Sequence, residues 1–182
     1  MNPAANGWEQ EEKGTQKNCM NKQIIYVMTG EVKAGNKNTI LKSSAIGSCI
    51  AIIAYNKQNQ IGALAHIMLP GKAPENRNIK KTRYASNAID ELINILELNG
   101  VNNNEIEVCI AGGANVLKRK DDYIGQDIIK SVEEIFKKRK IKIVAKSLGG
   151  TKRRSVSLDA EYGKVYYSIG DGAEKLLWKY RG

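Results

Sequence analysis

The chain has 182 residues, 42% of them hydrophobic, which suits one globular domain with a sizeable core. Its formal net charge of +10 favours acidic partners, but no helix-turn-helix, RNP or zinc-finger pattern accompanies it and aromatics are only 6%, so no nucleic-acid binding is expected. No apolar run reaches the roughly 18 residues of a membrane span, and three widely spaced cysteines with one histidine form neither a disulfide framework nor a metal cluster. The expectation is a cytoplasmic protein, without a signal peptide, membrane insertion, metal or cofactor.

Residues 1–21 are polar, carry Gln10 between two glutamates and a second glutamine at Gln16, and read as a flexible N-terminal tail to a domain over 22–182. Ile24 to Met28 (IIYVM) reads as the first strand, and Glu31 to Thr39 as a polar loop. Two β-rich runs follow, IGSCIAIIAY at Ile46 to Tyr55 and IGALAHIMLP at Ile61 to Pro70, joined by the polar NKQN. So short a link predicts an antiparallel hairpin, with Pro70 ending its second strand. Tyr84, Ala88, Leu92 and Leu96 recur at helical spacing and predict a helix from about Thr82 to Asn99, stopped by Gly100.

A buried strand at Ile106 to Ile110 runs into AGGAN, Ala111 to Asn115, where a glycine pair marks close backbone approach or positive φ. A second amphipathic helix is predicted over Gly125 to Lys140, with a basic last turn suited to a helix C-terminus. Strands follow at Ile141 to Leu148, Ser155 to Leu158 and Lys164 to Ile169. Strands come in groups rather than in strict alternation with helices. The pattern predicts an α+β fold, a single-domain layered sandwich of mixed and antiparallel sheet with two main flanking helices.

The chemistry gathers in the hairpin. Cys49 follows a Gly47-Ser48 turn, and His66, the single histidine, lies on the neighbouring run. A cysteine nucleophile must lose its proton, and an imidazole beside it accepts one. A nucleophile just after a sharp turn can present its sulfur while its own backbone N–H points at a developing oxyanion, with Gly47 and Ser48 as the oxyanion and turn support. The spacing leaves a second reading of Cys49 open, a small buried core residue. Neither run contains an Asp or Glu to orient the imidazole; the hydroxyls of Ser43, Ser44 and Ser48, or a backbone carbonyl, are what the neighbourhood offers. Cys109, in an apolar strand, reads as structural.

GSCIAIIAY followed by GALAHIMLP resembles the signature of the CheD family, the chemoreceptor glutamine deamidases of chemotaxis, whose fold is related to cysteine-hydrolase deamidase toxins. The resemblance runs from about Ile24 to Ile169 and includes Tyr84-Ala85, AGGAN, Ile124-Gly125 and GGTKRRSV at Gly149 to Val156. It implies that Cys49 attacks a receptor glutamine amide, that His66 shuttles the proton, and that water then releases glutamate. In the family a Thr hydroxyl six positions before the Cys completes the triad, and this chain has Ser43 there. After Gly125 the family usually has an Arg-Asn type pair, where this chain has Gln126, Asp127 and Ile128. The implied partners are methyl-accepting chemotaxis receptors, with acidic cytoplasmic helical hairpins, and a CheC-type phosphatase. Binding that phosphatase is an alternative, mainly non-catalytic role.

Overall fold

The computed structural model describes residues 22–75 and 78–180. Ten strands and two α-helices lie among them: β1 (Gln23–Tyr26), β2 (Val32–Gly35), β3 (Thr39–Ile46), β4 (Ile50–Asn56), β5 (Ile61–Ile67), α1 (Ala85–Leu98), β6 (Glu107–Gly112), α2 (Ile124–Arg139), β7 (Lys142–Leu148), β8 (Arg154–Asp159), β9 (Lys164–Ile169) and β10 (Lys175–Lys179). They form two mixed five-stranded sheets, ordered β1-β3-β8-β9-β10 and β2-β5-β4-β6-β7. The pairs β1–β3 and β6–β7 are parallel. The α+β sandwich expected from the grouping of strands is what the chain forms.

Side-chain parity in the second sheet explains the layers. On β4, Ile50, Ile52 and Ala54 face one core together with Ile61, Ala63, Ala65 and Ile67 of β5 and the buried stripes of both helices. The alternate residues Ala51, Ile53 and Tyr55, with Leu64 of β5 and Cys109 and Ala111 of β6, face a second core against Leu41, Val156 and Leu158 of the other sheet. Every residue of β4 and β5 is buried because this sheet is covered on both sides, which is why the two runs are apolar throughout rather than alternating. The order is helices, sheet, sheet.

The helices follow their sequence pattern. Ala85, Ala88, Ile89, Leu92, Ile93 and Leu96 make the buried stripe of α1, and Gly100 (φ +79°) ends its final turn. Ile128, Val132 and Phe136 do the same for α2. Lys137, Lys138 and Arg139 place positive charge at its C-terminus, as expected.

Four points of the expected strand layout need correction. The Glu31 to Thr39 stretch is not simply a loop: β2 occupies Val32–Gly35 as an edge strand on β5, and β3 starts at Thr39. Strand β3 reads poorly as a sequence because it includes Lys42 and three small residues, yet it pairs with β8 and carries Leu41 and Ile46 of the inter-sheet core. Strand β5 ends at Ile67, before Pro70, and the chain then makes a single bridge from Leu69 to Tyr84. A further strand, β10, closes the first sheet beyond the last one expected. The expected tail, residues 1–21, lies outside the described residues.

Candidate active site

The parity that builds the core also assembles the site. His66 belongs to the β5 face that points between the sheets, with Leu64. Cys49 precedes β4 by one residue and shares the face of Ala51. Ala51 stands opposite His66 in the ladder, so Cys49 is the diagonal neighbour of His66, a Cα separation of roughly 7–8 Å in such a pairing. Ser43 comes from the opposing sheet, on the same side of β3 as Leu41. The three positions singled out in the sequence thus converge from both sheets at one end of the inter-sheet layer.

The polar network is closed on one side of the imidazole and open on the other. The Ser43 hydroxyl lies 2.7 Å from the Val27 carbonyl oxygen and 2.9 Å from His66 Nδ1. A carbonyl only accepts, so the single hydroxyl proton goes to Val27 and the hydroxyl oxygen accepts from Nδ1–H. That arrangement assigns the Nδ1–H tautomer and leaves Nε2 with a free lone pair. Nε2 is buried and has no hydrogen-bond partner among the described residues. The thiol and the ring are therefore not hydrogen-bonded to each other in this structure. Val27 had no place in the sequence argument; a carbonyl at a strand end has no residue-type signature.

The turn at Gly47-Ser48-Cys49 is held by the glycine pair of AGGAN. Gly113 N–H donates to the Cys49 carbonyl and Ala114 N–H to the Gly47 carbonyl, each at 2.8 Å. Gly112, at φ +127°, leaves no room for a Cβ, which would collide with the Cys49 carbonyl oxygen. On the far side, a Cβ at Gly125 would lie 2.8 Å from the Gly113 carbonyl oxygen, so the start of α2 packs directly on the loop. The N–H groups of Ser48 and Cys49 make no backbone hydrogen bond among the described residues. Ser48 N–H is thus an unpaired backbone donor at the turn, and that of Cys49 faces its own sulfur.

Burial sets the resting protonation. It pushes the half-buried Cys49 thiol above its ordinary value, opposed by the residue's own backbone N–H. It holds the His66 imidazolium below its ordinary value of 6.5, with the Val27 carbonyl pulling weakly the other way. Both shifts favour a neutral thiol and a neutral imidazole over a preformed ion pair. Cys109, in the inter-sheet core, is pushed up to about 12 by burial and then by Glu107, in keeping with a structural residue.

Two recesses flank the turn. One, of about 320 Å³, is lined by Ala45, Gly47, Ser48, Leu117 and Arg153 among others. A smaller one of about 110 Å³ lies between Ser48, Gly113, Gly125, Gln126 and Gly150. Ala45 sits on the rim with φ +57°, in a bulge of β3 between Ser43 and Ile46. Bulges of this kind re-aim side chains next to functional sites.

The family model described as CheD chemotactic sensory transduction matches residues 68–168. A probable chemoreceptor glutamine deamidase CheD of Chlorobium luteolum is 35% identical over 156 residues, 86% of this chain and 78% of that protein. This chain belongs to the CheD family. A chemoreceptor glutamine deamidase CheD of Thermotoga maritima is 31% identical over 155 residues, 85% of this chain and 96% of its own. A probable CheD of Methanococcus maripaludis is 35% identical over 149 residues, 81% of this chain and 96% of its own. The CheD model itself begins beyond Cys49 and His66, whereas the match to the Chlorobium CheD is long enough to take in Ser43, Cys49 and His66. Among the described residues no helix is long and apolar enough to cross a membrane.

Proposed function

We propose that this CheD protein hydrolyses glutamine side chains of chemoreceptors to glutamate, with Cys49 as nucleophile, His66 as general base and acid, and Ser43 as the group that orients His66. The observation that carries the reading is the half-closed imidazole network. Nδ1 is committed to Ser43, and the bare Nε2 is buried on the face that Cys49 shares.

The chemistry follows from those positions. His66 Nε2 takes the Cys49 proton as sulfur attacks the amide carbon. The carbonyl oxygen becomes an oxyanion, for which the Ser48 N–H and, once it turns from its own sulfur, the Cys49 N–H are the donors at hand. The tetrahedral intermediate collapses with cleavage of the C–N bond; the imidazolium proton goes to the leaving nitrogen, and ammonia departs. A thioester remains. Water, deprotonated by His66, attacks it, and the C–S bond breaks to give the glutamate carboxyl group and the restored thiol. Ser43 holds the ring throughout and carries no proton to substrate.

The test is ammonia release from the cytoplasmic helical fragment of a chemoreceptor. The native protein is expected to release it and Cys49→Ala to release none; full activity in that variant would refute the mechanism. The family resemblance also implies binding to a CheC-type phosphatase, which needs no amide hydrolysis. A protein acting mainly in that way keeps its effect on the phosphatase in Cys49→Ala and releases no ammonia in its native form. The domain is taken to start near residue 22, and the working compartment to be the cytoplasm, where receptor hairpins lie.

A further inference from the structure

Arg154 opens β8 opposite Ile46, the last residue of β3 before the Gly47-Ser48-Cys49 turn. Only 5% of it is exposed, and burial lowers its pKa. A buried guanidinium is normally matched by a carboxylate, yet among the described residues Arg154 has none. Its donors go to neutral groups around one short turn. Nε donates to Ser147 Oγ at 2.9 Å, and Nη1 to the carbonyls of Gly149 at 2.8 Å and Lys152 at 3.4 Å.

That turn is itself a clamp. Gly149 N–H donates to the Gly112 carbonyl, and the Gly150 carbonyl accepts from Asn115 N–H, both at 2.9 Å. Between those two anchors lie Gly113 and Ala114, whose N–H groups hold the Cys49 and Gly47 carbonyls. Hydrogen bonds therefore run from Arg154 through the Gly149-Gly150 turn and the AGGAN loop to the backbone of the nucleophile. Gly149 and Gly150 both have positive φ (+70° and +75°) and open space around them, so local sterics alone do not fix this turn.

We propose that Arg154 is a positioning residue for the Cys49 chemistry, fixing the Gly149-Gly150 turn so that the AGGAN loop holds the nucleophile turn in its reactive geometry. The proposal rests on the reading of Cys49 as nucleophile. A hydrophobic residue of similar volume would fill the same space without burying a charge, but it would leave the turn unfixed.

The test compares the native protein with Arg154→Met and Arg154→Lys by receptor-fragment kinetics and by amide hydrogen exchange. In Arg154→Met, kcat is expected to fall by about tenfold or more while KM stays within about twofold, because Arg154 itself lines neither recess beside the turn. Exchange at the Gly113, Ala114 and Asn115 amides is expected to quicken, with the amides of β4, β5 and α1 unchanged. Arg154→Lys, which still reaches one carbonyl, is expected to restore part of both. If Arg154→Met does not fold, Ser147→Ala removes one acceptor alone and is expected to reproduce a milder form of the pattern. Native kcat in a folded Arg154→Met, or in both Arg154→Lys and Ser147→Ala, overturns the proposal, as does faster exchange spread evenly over the protein. Exchange needs no turnover, so a native protein that releases no ammonia defeats the deamidase reading while the brace is still measured.

Discussion

Ser43 is the residue on which the site's polarity turns. Its hydroxyl serves two buried groups, the Val27 carbonyl and His66 Nδ1, and only 2% of it is exposed. Ser43→Ala removes the hydroxyl from both and should cost about 1–3 kcal/mol of stability, read from denaturant midpoints. The deamidation rate should also fall, because the imidazole loses the contact that fixes its tautomer. Ser43→Thr keeps the hydroxyl and restricts its rotamer, and should retain activity. His66 gives a pH dependence of definite sign. Its imidazolium pKa is held below 6.5 by burial, so the unfolded chain takes up a proton before the folded one does. Stability is then complete above the unfolded value and declines as pH falls through 6.5 toward the folded value. The rate should decline over the same acidic limb, with a midpoint below 6.5, since a protonated His66 accepts nothing. A midpoint above neutrality in kcat/KM would contradict the assigned base. The thiols separate likewise: with Cys109 pushed up to about 12 and buried, a mild alkylating agent near pH 8 should label Cys49 and leave Cys109 unmodified.

At the scale of elements, the site is a product of strand parity and one loop contact. The β4–β5 hairpin, α1, α2 and the last turn of α2 were legible in the sequence because each has a strong local signature: apolar runs around a polar turn, a helical stripe, a basic end. So was the convergence of Cys49 and His66, since the hairpin makes them neighbours once its register is set. Strand β3 was not, because Lys42, Ser43, Ser44 and Ala45 are poor strand formers whose conformation is imposed by pairing with β8. The resemblance to CheD supplied Ser43 as the third group, whereas its partner, the Val27 carbonyl, is visible only in three dimensions. The AGGAN glycines were recognised as a close approach, but what they approach, the Cys49 carbonyl, depends on β6 pairing with β4. Gly112→Ala should therefore be severe: its Cβ has no room against the Cys49 carbonyl and its φ of +127° disfavours any side chain. Loss of activity with a markedly lowered unfolding midpoint is the expected outcome. Ala45→Gly tests the opposite case. A left-handed alanine at φ +57° costs roughly 1 kcal/mol, so glycine there should be neutral or slightly stabilising.

For the molecule as a whole, charge and architecture act on different steps. The +10 charge is far from the balance of a typical small domain and should steer an acidic receptor helix toward it. Raising ionic strength should then lower kcat/KM for an acidic receptor fragment while leaving kcat nearly unchanged, because screening weakens encounter and not the chemistry between the sheets. The three-layer packing buries the β4–β5 hairpin on both faces, so the proposed catalytic geometry is tied to the core of the fold. The most direct measurement of the central claim is the mass of receptor-fragment peptides after incubation with the native protein, Cys49→Ala and His66→Ala side by side. Conversion of glutamine to glutamate by the native protein alone is the predicted result; conversion by Cys49→Ala at the native rate would contradict it.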